Sequence, residues 1–188
     1  MFSALGNDAK MLEEAGVKVG LLPKVSSPSG MTAELEARGE RGLNRAILVP
    51  VPEVTGVPEP PVVPNFVAGL NELGMAVHRV PAYATKAVVR GNEVEEGLLL
   101  EGKIDAIAFS STAEATALAL SLGGDQKLRE AAARTTVCCF GPVTAKNVRE
   151  DLKLDVAVVS KNFSSFAGYA DALSEHFAAV AAADARSR

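Results

Sequence analysis

The sequence predicts an α/β fold built on parallel sheets, and three features carry that expectation. Helix-like and strand-like segments alternate almost throughout the 188 residues. The helical segments between strands have the length of right-handed βαβ crossovers. Apolar residues make up 48% of the chain, enough to fill real cores in one domain or two small ones.

Taken in order, "NDAKMLEEA" reads as a helix with Asn7 or Asp8 near its cap and Gly16 as its stop. "VKVGLLP" is a short strand, and "SGMTAELEAR" a helix begun after a Ser/Pro-rich turn. "RAILVPV" has the character of a buried strand. The Pro-rich "PEVTGVPEPPVVP" that follows is expected to be an extended surface loop and not a helix. "NFVAGLNELG" places Phe66, Leu70 and Leu73 at helical spacing and closes on Gly74, and "MAVHRVPAYATKAVV" reads as extended.

The second half repeats this grammar. "NEVEEGLLLEG" is helical with an exposed acidic face, and "IDAIAFS" is a strand. "TAEATALALSL" is a helix beginning at Ser111 or Thr112, and "DQKLREAAA" a further helix. "TTVCCF" is a strand, and "PVTAKNVRED" a helix with Pro142 at its first position. "LKLDVAVVS" is a strand, and the closing helix is expected to set Phe166, Leu173, Phe177 and Val180 on one core-facing side before "AAADARSR" frays.

Composition excludes several classes. A formal charge of −4 with 5% aromatic residues argues against a dedicated nucleic-acid surface. No apolar run approaches the roughly 18 residues of a membrane span. The two cysteines, Cys138 and Cys139, are adjacent in a strand and so face opposite ways, which suggests neither a disulfide framework nor a metal site. His78 and His176 stand apart with no partner at ligand spacing, and there is no phosphate-binding loop, complete dinucleotide fingerprint or Cys/His cluster. No metal and no cofactor is expected. The start "MFSALGN" has the look of neither a secretory signal nor a transit peptide, so a targeting segment is expected to be absent or already removed.

An internal repeat runs through the chain. Gly6 matches Gly141, Ala9 matches Thr144, and Val17-Lys18-Val19 matches Leu152-Lys153-Leu154. Further on, "GMTAEL" (30–35) matches "GYADAL" (168–173). Two related α/β lobes follow from a duplication of this size; generic α/β grammar is the alternative. The second copy is preceded by "IDAIAFSSTAEATALAL" while the first has only "MFSA" before it, so the chain is expected to lack a strand-Ser-helix unit upstream.

Together, "IDAIAFSSTAEA", "CFGPVTAKNV" and "VPAYAT" resemble the uroporphyrinogen-III synthase family, over nearly all of residues 4–175. The Pro-rich "VPEVTGVPEPPVVPNF" looks like the plant and algal members in particular. The resemblance implies two flavodoxin-like parallel-sheet lobes joined by an extended β linker: an incomplete first lobe at 1–80, the linker at 81–90 and the second lobe at 91–188. Relative to the family, the chain looks truncated at its N-terminus. In an alternative topology residues 45–83 fold onto 104–188 as one five-stranded lobe.

The family's substrate is hydroxymethylbilane, a linear tetrapyrrole with eight carboxylates. The enzyme expels its terminal hydroxyl, inverts the last ring through a spiro intermediate and closes the macrocycle. The resemblance implies this reaction, no cofactor, and the chloroplast stroma as location. Helix N-termini suit the substrate's carboxylates, because their free N–H groups and dipole favour anions. The candidate ends are Ser110-Ser111-Thr112, Gly141-Pro142-Val143-Thr144 and Ser164-Ser165, all following strands expected to be parallel. Ordinary N-caps, worth about 1 kcal/mol each, are the alternative for these hydroxyls.

Tyr83 matches the family's linker Tyr, which helps the hydroxyl leave by hydrogen bonding or proton donation; an amphipathic ring at a lobe junction is the alternative. Thr144 matches the family's functionally sensitive Thr in G-x-x-T-A. Its counterpart Ala9 departs from the Thr that many members carry there, so one half-site lacks a hydroxyl. Lys86, Arg90, Lys146 and Lys161 stand either at a cleft mouth or on ordinary solvated faces. The expected activity is therefore the cyclisation of hydroxymethylbilane. Two alternatives remain open: a degenerate domain serving as a binding or structural subunit, with a protein partner completing the short lobe, and a flavodoxin-like regulatory or nucleotide-binding domain.

Overall fold

A computed structural model describes residues 1–88, 90–163 and 165–186. The chain forms two α/β units. Unit 1 comprises Met1–Thr55 with Glu59–Thr85, and unit 2 comprises Gly56–Pro58 with Lys86–Arg188. Extended segments carry the chain from one unit to the other.

Unit 1 begins with β1 (Phe2–Ser3), α1 (Asn7–Glu14) and β2 (Val19–Leu21), with β1 and β2 parallel. The turn into α1 runs through Gly6 at φ +48°, a left-handed conformation that glycine adopts without a Cβ clash. Next come α2 (Pro28–Ala37), β3 (Ala46–Thr55), α3 (Val62–Glu72) and β4 (Ala76–Lys86). β3 and β4 pair with each other, opened by Ala76 N donating to Arg45 O at 2.9 Å. One core joins both strand pairs, built from Leu21, Met31, Leu35, Val49, Val51, Leu70, Leu73 and Met75. The alternative in which residues 45–83 complete a lobe with 104–188 is not adopted: Val49, Val51 and Leu70 pack into the unit 1 core.

The Pro-rich stretch departs from expectation at both ends. β3 continues through Pro50 and Pro52 to Thr55, and α3 already starts at Val62, so Val62, Val63 and Pro64 are helical. β3 is paired on one side only among the described residues. Pro50 and Pro52 lie two residues apart, so their missing N–H groups fall on one side of the strand, which a strand with an unpaired edge tolerates. Pro64 falls in the first turn of α3, where the N–H would have no intrahelical acceptor in any case.

Unit 2 contains α4 (Glu93–Leu100), β5 (Ala106–Phe109), α5 (Thr112–Ser121), α6 (Asp125–Ala132), β6 (Thr136–Cys139), α7 (Pro142–Asp151), β7 (Val156–Val159) and α8 (Phe166–Arg186). Its sheet has the order β5-β6-β7, all parallel. Cys138 and Cys139 serve its two faces as adjacency in a strand requires. Cys139 belongs to the larger core with Leu128, Val137 and Val148, and Cys138 to a smaller one with Val158 and Tyr169. The strand ends are in register, Phe109 opposite Cys139 and Cys139 opposite Val159. The segments that follow each strand therefore emerge at one sheet edge.

α8 corrects the expected core-facing stripe. Tyr169 is buried and Leu173 partly buried against the sheet, but Phe166, Phe177 and Val180 are exposed. A 21-residue helix spans about 31 Å, whereas four-residue strands reach only about 13 Å. Only the first turns of α8 have sheet beneath them. The helix nevertheless continues through Arg186 in place of the expected frayed tail.

The repeat has a physical basis. Ser27 Oγ accepts from Gly30 N at 3.0 Å, and Ser165 Oγ accepts from Gly168 N at 3.1 Å. A Cβ on Gly30 would lie 2.1 Å from Val25 O, and one on Gly168 would lie 2.4 Å from Asn162 O. Both copies thus start a helix with a serine cap and need glycine three residues later, because the preceding loop crosses against that position.

Candidate functional site

The in-register ends of β5, β6 and β7 bring the polar candidates of unit 2 together. Ser110 follows β5, Ser111 is the N-cap of α5, and Thr112 is its first residue. Gly141 is the N-cap of α7, Pro142 opens that helix, and Thr144 lies in its first turn. Thr144 Oγ1 donates to Ser110 O at 3.5 Å, and Asn147 Nδ2 donates to Thr112 Oγ1 at 3.2 Å. These two bonds tie the starts of α5 and α7 side by side.

The two helix ends differ in how they are satisfied. At α5, Glu114 turns back on its own N-terminus. Its carboxylate accepts from Ser110 N at 2.7 Å, from Ser111 N at 3.3 Å and from the Ser110 hydroxyl. Ser111 Oγ accepts from Glu114 N at 3.4 Å, completing a capping box. The N–H groups of Ser110 and Ser111 and the Ser110 hydroxyl are therefore occupied by an internal carboxylate. At α7, Gly141 offers no side-chain cap and the first turn holds no acidic residue. Val143 is exposed there, and Phe163 lies over Gly141, 3.3 Å from where a Cβ would stand. Gly141 is extended at φ −158°, so the Phe163 ring, and not backbone strain, favours glycine.

The other candidates lie outside this pair of helix starts. Ser165 caps the start of α8 through Gly168 N, and Ser164 lies outside the described residues. Tyr83 belongs to unit 1, on β4, with 63% of its surface exposed. Lys146 pairs with Glu150 along α7 at 4.0 Å, and His78 is exposed on β4. A hollow of about 480 Å³ in unit 2 lies between β7 and α8, where Lys161, just past the end of β7, and His176 mix with Asp171 and Glu175. Among the described residues no cluster of His, Cys, Asp and Glu is arranged to hold a metal ion, and no helix is long and apolar enough to cross a membrane. Both cysteines are free and buried, and burial pushes each thiol up to about 11. They are inert packing groups, not nucleophiles.

Sequence reasoning passed over Glu114 and Asn147. The S-x-x-E signature of the capping box is present in "STAE" and was sufficient to find Glu114. Asn147 has no such local signal, because its partner Thr112 lies on another helix.

Known proteins resemble this chain in both sequence and fold. The model of the family described as uroporphyrinogen-III synthase HemD matches residues 8–169. A mutant uroporphyrinogen III synthase from the extremely thermophilic bacterium Thermus thermophilus shares the fold at 23% identity and a TM-score of 0.54, over 89% of this chain and 62% of that one. The wild-type protein from the same organism aligns at 24% identity and a TM-score of 0.44, over 90% of this chain and 63% of that one. The chain thus spans about three-fifths of the length of these solved relatives. No curated protein matches it. With the family model covering most of both units, the chain belongs to the uroporphyrinogen-III synthase HemD family.

Proposed function

We propose that this protein cyclises hydroxymethylbilane to uroporphyrinogen III, with inversion of the last pyrrole ring and loss of water. The observation that carries this is the single sheet edge of unit 2, where the hydroxyls of Ser110, Thr112 and Thr144 gather beside the uncapped start of α7. Backbone N–H groups at such a start favour carboxylates, and the bilane carries eight. In this reading Gly141, Val143 and Thr144 hold one or more of its acetate or propionate groups. The N–H groups of Ser110 and Ser111 and the Ser110 hydroxyl contribute only when Glu114 swings away, whereas Thr112 is held by Asn147; Ser164 and Ser165 are proposed as further carboxylate contacts. Departure of the hydroxyl, pushed by the electron-rich pyrrole that bears it, leaves an electrophilic azafulvene on the substrate itself for the last ring to attack. The protein's task is to assist that departure and to hold the chain against simple head-to-tail closure.

Tyr83 is the proton donor to the departing hydroxyl in this account. Its exposure on β4 leaves the phenol accessible, and Tyr83→Phe removes only the O–H. The expected result is a fall of about tenfold or more in kcat with an unchanged melting temperature. It is read from the initial rate of macrocycle formation and a thermal scan. An unaltered kcat would remove Tyr83 from the chemistry.

A second reading draws on the edge of the sheet. β5 is paired only with β6 among the described residues. Beside it lies a hollow of about 260 Å³ bordered by Leu99, Ile104, Ile107 and Leu118. An open strand edge next to apolar surface suits a protein partner that adds a strand. A binding subunit of this kind, with Ala9 marking a lost hydroxyl, would hold tetrapyrrole or partner without turnover. The Pro-rich stretch before α3 supports grouping the chain with plant and algal members, and hence the chloroplast stroma, which fractionation of the source cells tests.

A further inference from the structure

Three aromatic rings form a ladder that climbs from the core of unit 2 to its functional edge. Tyr169 is the inner rung, 5% exposed, with its hydroxyl donating to Phe109 O at 3.4 Å. Phe140 meets it edge-on, ring centroids 5.6 Å apart, and Phe166 meets Phe140 at 5.0 Å in a tilted arrangement. Phe166 is the outer rung and is 70% exposed. Its position is fixed from below. It is the first residue of α8, whose opening turn is held by Ser165 Oγ on Gly168 N and by Ser160 Oγ donating to Gly168 O at 3.1 Å.

An exposed phenylalanine held this firmly contributes little to the core, yet it presents a preorganised ring face. Ordering it on binding costs little rotamer entropy, because the ladder has already ordered it. Phe109 and Phe140 directly precede Ser110 and Gly141, so the ladder stands at the edge that carries the hydroxyls and the uncapped start of α7. A ligand suited to this edge combines an electron-rich ring with carboxylates on its rim. Resting on the function proposed above, we infer that Phe166 packs against a pyrrole ring of the bound tetrapyrrole and so helps set affinity and ring placement. Offset or edge-on ring pairs of this kind add specific attraction beyond the area they bury.

The test uses the full chain and uroporphyrin III, the oxidised and fluorescent form of the proposed product. Phe166→Ala is expected to weaken binding about tenfold while leaving the melting temperature unchanged, since the ring lies mostly in solvent. Phe166→Trp should restore affinity to within about twofold. Phe177→Ala, an exposed ring farther along α8, should leave affinity unmoved. Equal affinity for wild type and Phe166→Ala would overturn the inference and leave the tetrapyrrole reading standing. A wild-type chain that binds no uroporphyrin III would overturn both. Binding without turnover would defeat the proposed cyclisation, while the comparison of variants would still decide the role of Phe166.

Discussion

Gly168→Ala is expected to destabilise unit 2 by about 1–3 kcal/mol, the range typical of forced overpacking. The new methyl would sit 2.4 Å from Asn162 O and 2.8 Å from Asn162 Cβ. The first of these is a backbone atom, so no side-chain rotation relieves the clash, and the loop or the first turn of α8 must move. Such movement also strains the Gly168 N–Ser165 Oγ cap and the Ser160 Oγ–Gly168 O bond. The equivalent Gly30→Ala, 2.1 Å from Val25 O, should cost a similar amount in unit 1. Gly97→Ala in α4 provides the contrast. Nothing lies within 4 Å of its added methyl, and alanine should stabilise that helix by roughly 0.5–1 kcal/mol. Urea denaturation followed by circular dichroism separates the three. A neutral Gly168→Ala would mean that Asn162 O does not lie against Gly168.

Alkaline pH should weaken the fold through its two buried thiols. Cys138 and Cys139 are fully buried, and loss of hydration pushes each from 9.0 to about 11; for Cys139 the nearby Arg149 guanidinium opposes the rise. The sign follows from proton binding. Between these values the folded chain keeps both thiol protons and the unfolded chain sheds them, so stability falls as pH rises from about 9 to about 11. Each thiol contributes a loss on the order of 1.4 kcal/mol per pH unit within that window. The buried Tyr169 hydroxyl is also raised, first by desolvation, which extends the decline above its ordinary value of 10.0. Urea midpoints at pH 8, 9.5 and 10.5 should therefore descend, and Cys138→Ala or Cys139→Ala should shallow the slope whatever it does to the midpoint at pH 8. A pH-independent midpoint up to 10.5 would contradict the burial of these thiols.

What was legible in the sequence was local. Pro142 at the start of α7, a cap at Ser111 and two opposed cysteines all follow from neighbouring residues, and each stands in the structure as read. What escaped was non-local. Whether Pro50 and Pro52 can lie in a strand depends on which edge of β3 is unpaired, a fact set by β4 twenty residues later. The exposure of Phe166, Phe177 and Val180 depends on the reach of the sheet under α8, which helical periodicity does not encode. At the site, the repeat pointed to Gly30 and Gly168, but the contacts that require glycine there come from Val25 O and Asn162 O. Glu114 was the exception. Its signal was local and complete, and its carboxylate occupies the Ser110 hydroxyl and the N–H groups of Ser110 and Ser111.

The measurement that tests the proposed cyclisation most directly is the isomer composition of the product formed from hydroxymethylbilane. Unassisted, the bilane closes head to tail and gives the type I macrocycle. A protein that holds both ends while the last ring inverts must give type III. Incubation of the purified chain with the bilane, oxidation to porphyrins and chromatographic separation of the isomers should show type III as the main product, in proportion to protein added. Type I alone, at the rate of the protein-free control, would contradict the account and leave the binding subunit as the better description.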